Sequence, residues 1–155
     1  MKFFTIILLA MLGLAWTAEA RLGETRDECK VRYGEPTRKG VNLLVFNKGG
    51  YTIACLFVND KVEIIQFSGG ELSEASRKAI LEKNQSITGE WSLPILMPTL
   101  TSKPSRCYFY SSDKGGVATF DLDTGILKIM TSYGKEHERE IREEAVKNNV
   151  DSLGL

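Results

Sequence analysis

The sequence is poor in the residues from which most enzyme sites are built. It holds one histidine, His137, and three cysteines, Cys29, Cys55 and Cys107. A zinc site needs several converging ligands, mostly His and Cys, and one histidine with three scattered cysteines does not supply them. No C-x-x-C spacing occurs, which removes the thioredoxin-like and zinc-ribbon motifs. G-x-S-x-G, P-loop and G-x-G-x-x-G patterns are also missing, so there is no nucleophile elbow and no phosphate cradle. A Cys–His nucleophile would require His137, expected on a solvated, charged helix, to meet a buried thiol. Charge of one sign is lacking too: 20 Lys and Arg balance 20 Asp and Glu. A neutral chain has no electrostatic footprint for nucleic acid. No cofactor, metal or catalytic residue is expected.

What is present begins with an export signal. Lys2 forms a short positive region, Phe3 to Trp16 is an apolar run broken only by Thr5 and Gly13, and Ala18-Glu19-Ala20 is a small-x-small cleavage site. Its 14 residues fall short of the roughly 20 that a spanning helix needs. Residues 1–20 therefore read as a signal peptide cleaved between Ala20 and Arg21, and 21–155 as one soluble α+β domain exported to the periplasm or beyond. No membrane insertion is expected after cleavage.

Local signals in the mature chain alternate between helices and hairpins. Thr25 with Glu28 three residues on is a capping box, and Cys29 and Tyr33 share one face of the helix that follows. Gly34 and Pro36 end that helix. Strands are predicted at Val41 to Phe46, Tyr51 to Val58 and Val62 to Phe67, joined by the turns Asn47-Lys48-Gly49-Gly50 and Asn59-Asp60. A helix is predicted from Ser73 to Asn84. Strands then recur at Cys107 to Tyr110, Val117 to Leu122 and Ile126 to Met130. Ser132-Tyr133-Gly134 breaks the last of them, and a charged helix with Ile141 and Ala145 as its apolar stripe runs from Lys135 to Asn148.

The two halves look alike. Asn47-Lys48-Gly49-Gly50 and Asp113-Lys114-Gly115-Gly116 join the first two strands of each meander, and Lys83-Asn84 and Lys147-Asn148 end the following helices. The offset is 66 residues at the turns and 64 afterwards. This predicts an internal duplication, with repeats at about 41–84 and 105–148, in an α-βββα-βββα order. The two antiparallel meanders would join edge to edge as a six-stranded sheet with helices packed on one face.

Residues 85 to 104 read as irregular, because Gly89, Pro94, Pro98 and Pro104 discourage regular structure. Yet Trp91, Leu93, Ile95, Leu96, Met97 and Leu100 are apolar. Two readings stand: a small second core closing the end of the sheet, or a partner-binding patch centred on Trp91, Leu96 and Met97. Three smaller signals have plain structural readings. Asp121 and Asp123 read as a strand end and turn, and Asn84-Gln85-Ser86 matches a glycosylation sequon. The cysteines read as three buried thiols or as one bridge and a free thiol, with no pairing assignable.

The opening segment, from Gly23-Glu24-Thr25 through Cys29 to Tyr33-Gly34-Glu35-Pro36, resembles the Gly-x-Thr…Tyr-Gly-x-Pro start of a group of small exported bacterial proteins. In element order the chain is similar to the helix-then-meander modules of the SmpA/OmlA and β-lactamase-inhibitor-like group. The lipidated cysteine of the assembly lipoproteins has no counterpart here. The resemblance implies a non-enzymatic binding or scaffolding role in the bacterial cell envelope. The absent catalytic motifs, the repeated sheet and the apolar loop make another envelope or secreted protein the expected partner, with a homodimer as a further option. The alternative expectation is a small-ligand binder or a hydrolase using the open face of the sheet.

Overall fold

The computed structural model describes residues 21–98 and 106–144. The signal segment, Leu100, Ala145 and Lys147-Asn148 lie outside the described residues. Helix α1 (Arg26–Tyr33) opens on a complete capping box, in which Thr25 and Glu28 satisfy each other's backbone N–H. It buries Cys29 and Tyr33. Strands β1 (Arg38–Lys39), β2 (Leu43–Lys48), β3 (Tyr51–Val58) and β4 (Lys61–Ser68) follow as an antiparallel ladder. Asn59 and Asp60 both take positive φ, which gives the β3–β4 hairpin the two-residue turn that matches strand twist.

Helix α2 (Glu74–Thr88) is capped by Ser73 and runs four residues past the predicted end at Asn84. Its buried face explains the extension. Ile80, Leu81, Asn84 and Thr88 lie inward, and the two polar members return hydrogen bonds to the helix backbone at Ile80 and Asn84. Strands β5 (Ile95–Pro98), β6 (Arg106–Ser111), β7 (Val117–Asp121) and β8 (Leu127–Met130) complete the sheet. A short helix α3 (Ser132–Glu136) and a second helical stretch, α4 (138–144), follow. The charged helix predicted from Lys135 is thus two pieces, with a turn at His137.

All eight strands form one antiparallel sheet in the order β1-β2-β3-β4-β8-β7-β6-β5. The fold is α+β, but the sheet has eight strands where six were predicted. The additions are β1 and β5, one at each edge. Strand β5 lies inside the run predicted as irregular: an edge strand tolerates proline at its end, because one side of its backbone has no ladder to break.

The helices do not all lie on one face, as the sequence had suggested. Helices α1 and α2 cover one side, where Phe46, Ile53, Phe57, Ile65, Phe67, Leu127 and Ile129 are fully buried. On the reverse side Ile141 of α4 packs with Leu56, Ile64, Val117 and Met130. The cause is apolar residues at successive positions of β3, β4 and β8, which leave neither face polar. A bulge sharpens the effect. Leu56 pairs with Ile64 and Phe57 with Val62, so Glu63 is the extra residue, and Val62 and Ile65 face one side while Ile64 faces the other.

The bulge is also where α3 docks. Thr131 caps α3 through Gly134 N–H, and its own N–H reaches the Glu63 carbonyl at 3.1 Å. A side chain at position 134 would meet that carbonyl oxygen at 2.5 Å, so only glycine fits. At the other end of the chain, Leu22 N–H donates to Asn84 Oδ1 at 2.7 Å, and Gly23 N–H donates to Val62 O at 2.8 Å. The segment before α1 is therefore fastened to both α2 and β4.

Candidate interaction surface

Among the described residues β5 has a single neighbour, β6, with Ile95 opposite Phe109, Leu96 opposite Tyr108 and Met97 opposite Cys107. The outer edge of an end strand presents N–H and C=O groups that no ladder satisfies. Its side chains are exposed as well, Ile95 by 58%, Leu96 by 50% and Met97 by 44%, and so is Leu93 just before it, by 86%. Apolar side chains on an open edge are what natural sheets usually avoid.

The sequence-predicted patch divides here. Leu96 and Met97 are on this edge. Trp91 is not: its ring is half-buried against the main core, its indole N–H donates to Leu81 O at 2.9 Å, and its backbone bridges to Ser112. Trp91 belongs to the wall of a neighbouring groove of about 300 Å³ between α2 and the 91–94 segment, with Lys78, Gln85, Leu93 and Tyr110 also lining it. Trp91 thus packs on the main core rather than building a second one, while Leu96 and Met97 are exposed. Sequence reasoning missed Leu93 and Ile95 as the most exposed members, and it missed the α2 wall. The signal available was the spacing of four apolar residues between Trp91 and Pro98 with no charge among them.

The remaining chemical candidates have structural employment. Asp121 Oδ1 accepts from the N–H groups of Asp123 and Thr124, both at 2.9 Å, which makes it a turn cap. His137 stacks on Tyr133 with ring centroids 4.1 Å apart, and its Nδ1 lies 3.0 Å from Tyr133 O. Asn84 of the sequon is buried and doubly hydrogen-bonded, so no glycan can be attached in the folded chain. All three cysteines are free thiols, Cys29 and Cys55 buried and Cys107 half-buried. Among the described residues no three His, Cys, Asp or Glu side chains converge as a metal site, and no helix is long and apolar enough to cross a membrane.

The open part of the reverse face carries a polar concavity lined by Gln66, Thr119, Lys128, Glu138 and Arg142. Lys128 Nζ reaches the two Glu138 oxygens at 2.8 and 3.0 Å, and Arg142 Nε reaches Oε1 at 2.7 Å. Burial opposes ionisation of Glu138, but the hydrogen bonds and positive charges of Lys128 and Arg142 together outweigh it and hold the carboxyl below its ordinary range. Two cations thus share one carboxylate here, and Asp121 also lines the concavity.

No protein-family model, curated protein or solved structure matches the chain.

The geometry of the β5 edge and its groove must therefore carry any functional reading unaided.

Proposed function

We propose that this chain is an exported, non-enzymatic binding module that takes an extended segment of a partner protein as a ninth strand along β5. The observation that carries the reading is an end strand with exposed Ile95, Leu96 and Met97 and one described neighbour. An added strand satisfies the outward backbone groups and covers these side chains, and the groove beside Trp91 takes one side chain of the incoming segment. The partner is thus an apolar, β-prone segment of an envelope or secreted protein. Export rests on the leader pattern, and it agrees with the resemblance of the opening segment to small exported proteins. The reading of the reverse face as a ligand or catalytic site has less support, since Lys128, Arg142 and Glu138 already pair with one another.

The internal duplication is proposed with new boundaries. Each half is then a helix followed by four strands, α1 with β1–β4 and α2 with β5–β8. Three observations favour this. The strand order is the same read inward from either edge. Ile65 and Ile129, 64 residues apart, sit directly opposite across the β4–β8 seam, as a two-fold relation at that offset requires. An arginine from each helix lies over a phenylalanine of the third strand of its half, Arg26 over Phe57 at 4.5 Å and Arg77 over Phe120 at 4.1 Å.

The test is affinity capture from the envelope and secreted fractions, with the double variant Leu96→Lys/Met97→Lys beside the parent. The expected outcome is a saturable partner lost in the variant, whose melting temperature stays within a few degrees of the parent. Arg38→Glu/Lys39→Glu, at the opposite edge, should retain the partner. Capture that survives the β5 variant overturns the reading, and so does an empty capture from folded bait. A concentration-dependent dimer abolished by the same substitutions would make the occupant a second copy of the chain.

A further inference from the structure

The side chains of β5 divide between the two faces of the sheet. Leu96 lies opposite Tyr108, which packs on the helix-covered core. Ile95 lies opposite Phe109, which packs on the reverse-face cluster, and Met97 alternates onto that same side. The groove beside α2 opens on the Leu96 side. Tyr110, on the same face of β6 as Tyr108, lines it together with Pro94, on the chain just before β5.

The rest of the lining joins apolar surface to negative charge. Leu81 and Trp91 extend the apolar part, while Glu74, Lys78 and Glu82 follow one another at single-turn spacing along the α2 wall. Two carboxylates against one ammonium leave an excess of negative charge. Lys78 does not hold Glu82 firmly: the pair is 4.0 Å apart, and the side chains are 79% and 54% exposed. Glu74 makes no ion pair among the described residues.

We propose that this groove holds an arginine or lysine side chain, so that the segment docked along β5 carries a basic residue at one end of its apolar run. The aliphatic stem of such a residue matches Leu81 and Pro94. The rings of Trp91 and Tyr110 favour a cation beside them, and Glu74 and Glu82 pair with its charge. Strand geometry sets the spacing. On an added strand, the residue opposite Leu96 and the next one on the same face lie about 7 Å apart. The second falls beside Pro94, at the groove, and the residues opposite Ile95 and Met97 turn to the reverse side. The basic residue therefore adjoins the apolar residues that face Ile95, Leu96 and Met97. This inference rests on the strand-addition reading and names the side chain that the groove selects.

The full-length chain is expressed, and its folded product serves as bait for a displayed library of random peptides of about eight residues, within the range of ordinary strand lengths. The expected result is enrichment of peptides with Arg or Lys directly beside a run of apolar residues. Glu74→Gln/Glu82→Gln should weaken binding of these peptides by about fivefold, and Lys78→Glu should strengthen it by a similar factor. All three positions are exposed on α2, so the melting temperatures should stay within a few degrees of the parent. Effects of opposite sign from one helix face distinguish a change of charge from a change of fold. Peptides that are lost in Leu96→Lys/Met97→Lys but carry an aromatic, aliphatic or acidic residue in the basic position overturn the inference and leave the edge reading standing. Basic peptides indifferent to the α2 substitutions do the same. An empty selection from folded bait, or peptides that survive the β5 variant, overturns the edge reading and the inference with it.

Discussion

The two edges of the sheet are built from opposite materials. Strand β1 is two residues long, and both, Arg38 and Lys39, are charged and exposed. Strand β5 is four residues long and carries Ile95, Leu96 and Met97 into solvent. Short length and cationic side chains are the usual protections against unwanted strand pairing, so the first edge is guarded and the second is not. The halves behind these edges differ in the same sense. In the first, Phe46, Ile53, Phe57, Val62, Ile65 and Phe67 are wholly buried. In the second, Tyr108 and Phe109 of β6 remain half-exposed. A sheet of one strand order thus has a closed half that supplies stability and a looser half that supplies surface.

The largest expected effect tests that division directly. Phe46→Ala on β2 should cost about 3–5 kcal/mol in denaturant unfolding, and Phe109→Ala on β6 clearly less. Equal losses would mean that the difference in burial carries no energetic meaning. The helix ends offer a finer comparison. Gly34 and Gly89 end α1 and α2 with nearly the same backbone, φ 86° and 84°. Around Gly34 a β-carbon would meet nothing, whereas at Gly89 it would fall 1.7 Å from Asp113 Oδ1, the oxygen that accepts Glu90 N–H. Gly34→Ala should therefore show backbone strain alone, about 1–3 kcal/mol. Gly89→Ala should lose about 1–3 kcal/mol more from overpacking. Urea midpoints for the pair decide whether the α2 end is clamped as tightly as its contacts imply.

The smallest effect is electrostatic. Burial is outweighed by the hydrogen bonds and positive charges of Lys128 and Arg142, which lower Glu138, so its contribution is present above its ordinary value of 4.5 and is lost as pH falls through the lower folded value. The urea midpoint should decline in that acid range, and Glu138→Gln should flatten the decline. Glu28 is lowered as well, by the Thr25 backbone and side chain, but it is fully exposed, so Glu28→Gln should flatten the curve less. If the two variants behave alike, the reverse-face ion pairs add nothing beyond a helix cap.

Where structure follows local rules, the sequence was legible. The Thr25 box, the Ser73 cap, the Asn59-Asp60 turn and the bounds of Tyr51–Val58 all depend on residues within a few positions of one another. What escaped reading depends on contacts far along the chain. Asn84 and Thr88 look like the polar end of a helix until Leu22 and the sheet bury them. Strand β5 looks like a proline-broken loop until β6 offers it a ladder. The reverse-face packing of Ile141 depends on the Glu63 bulge, which no pattern of alternation announces. Of the candidate site, Leu96 and Met97 were left between core and patch, because their exposure is set by the place of β5 at the sheet edge. Trp91 was ambiguous because one ring can serve the core and the groove at once.

The β4–β8 seam also sets a schedule. Phe67 pairs with Leu127, so about 60 residues separate the making of one partner from the making of the other. At a synthesis rate of about 5–20 residues per second, the nascent chain waits roughly 3–12 s between them. Throughout that interval β4 is the temporary rim of a four-stranded half-sheet, and its residues Val62, Ile64, Ile65 and Phe67 make it more apolar than either rim of the finished molecule. The most aggregation-prone edge this chain ever presents is therefore one that the native state does not have.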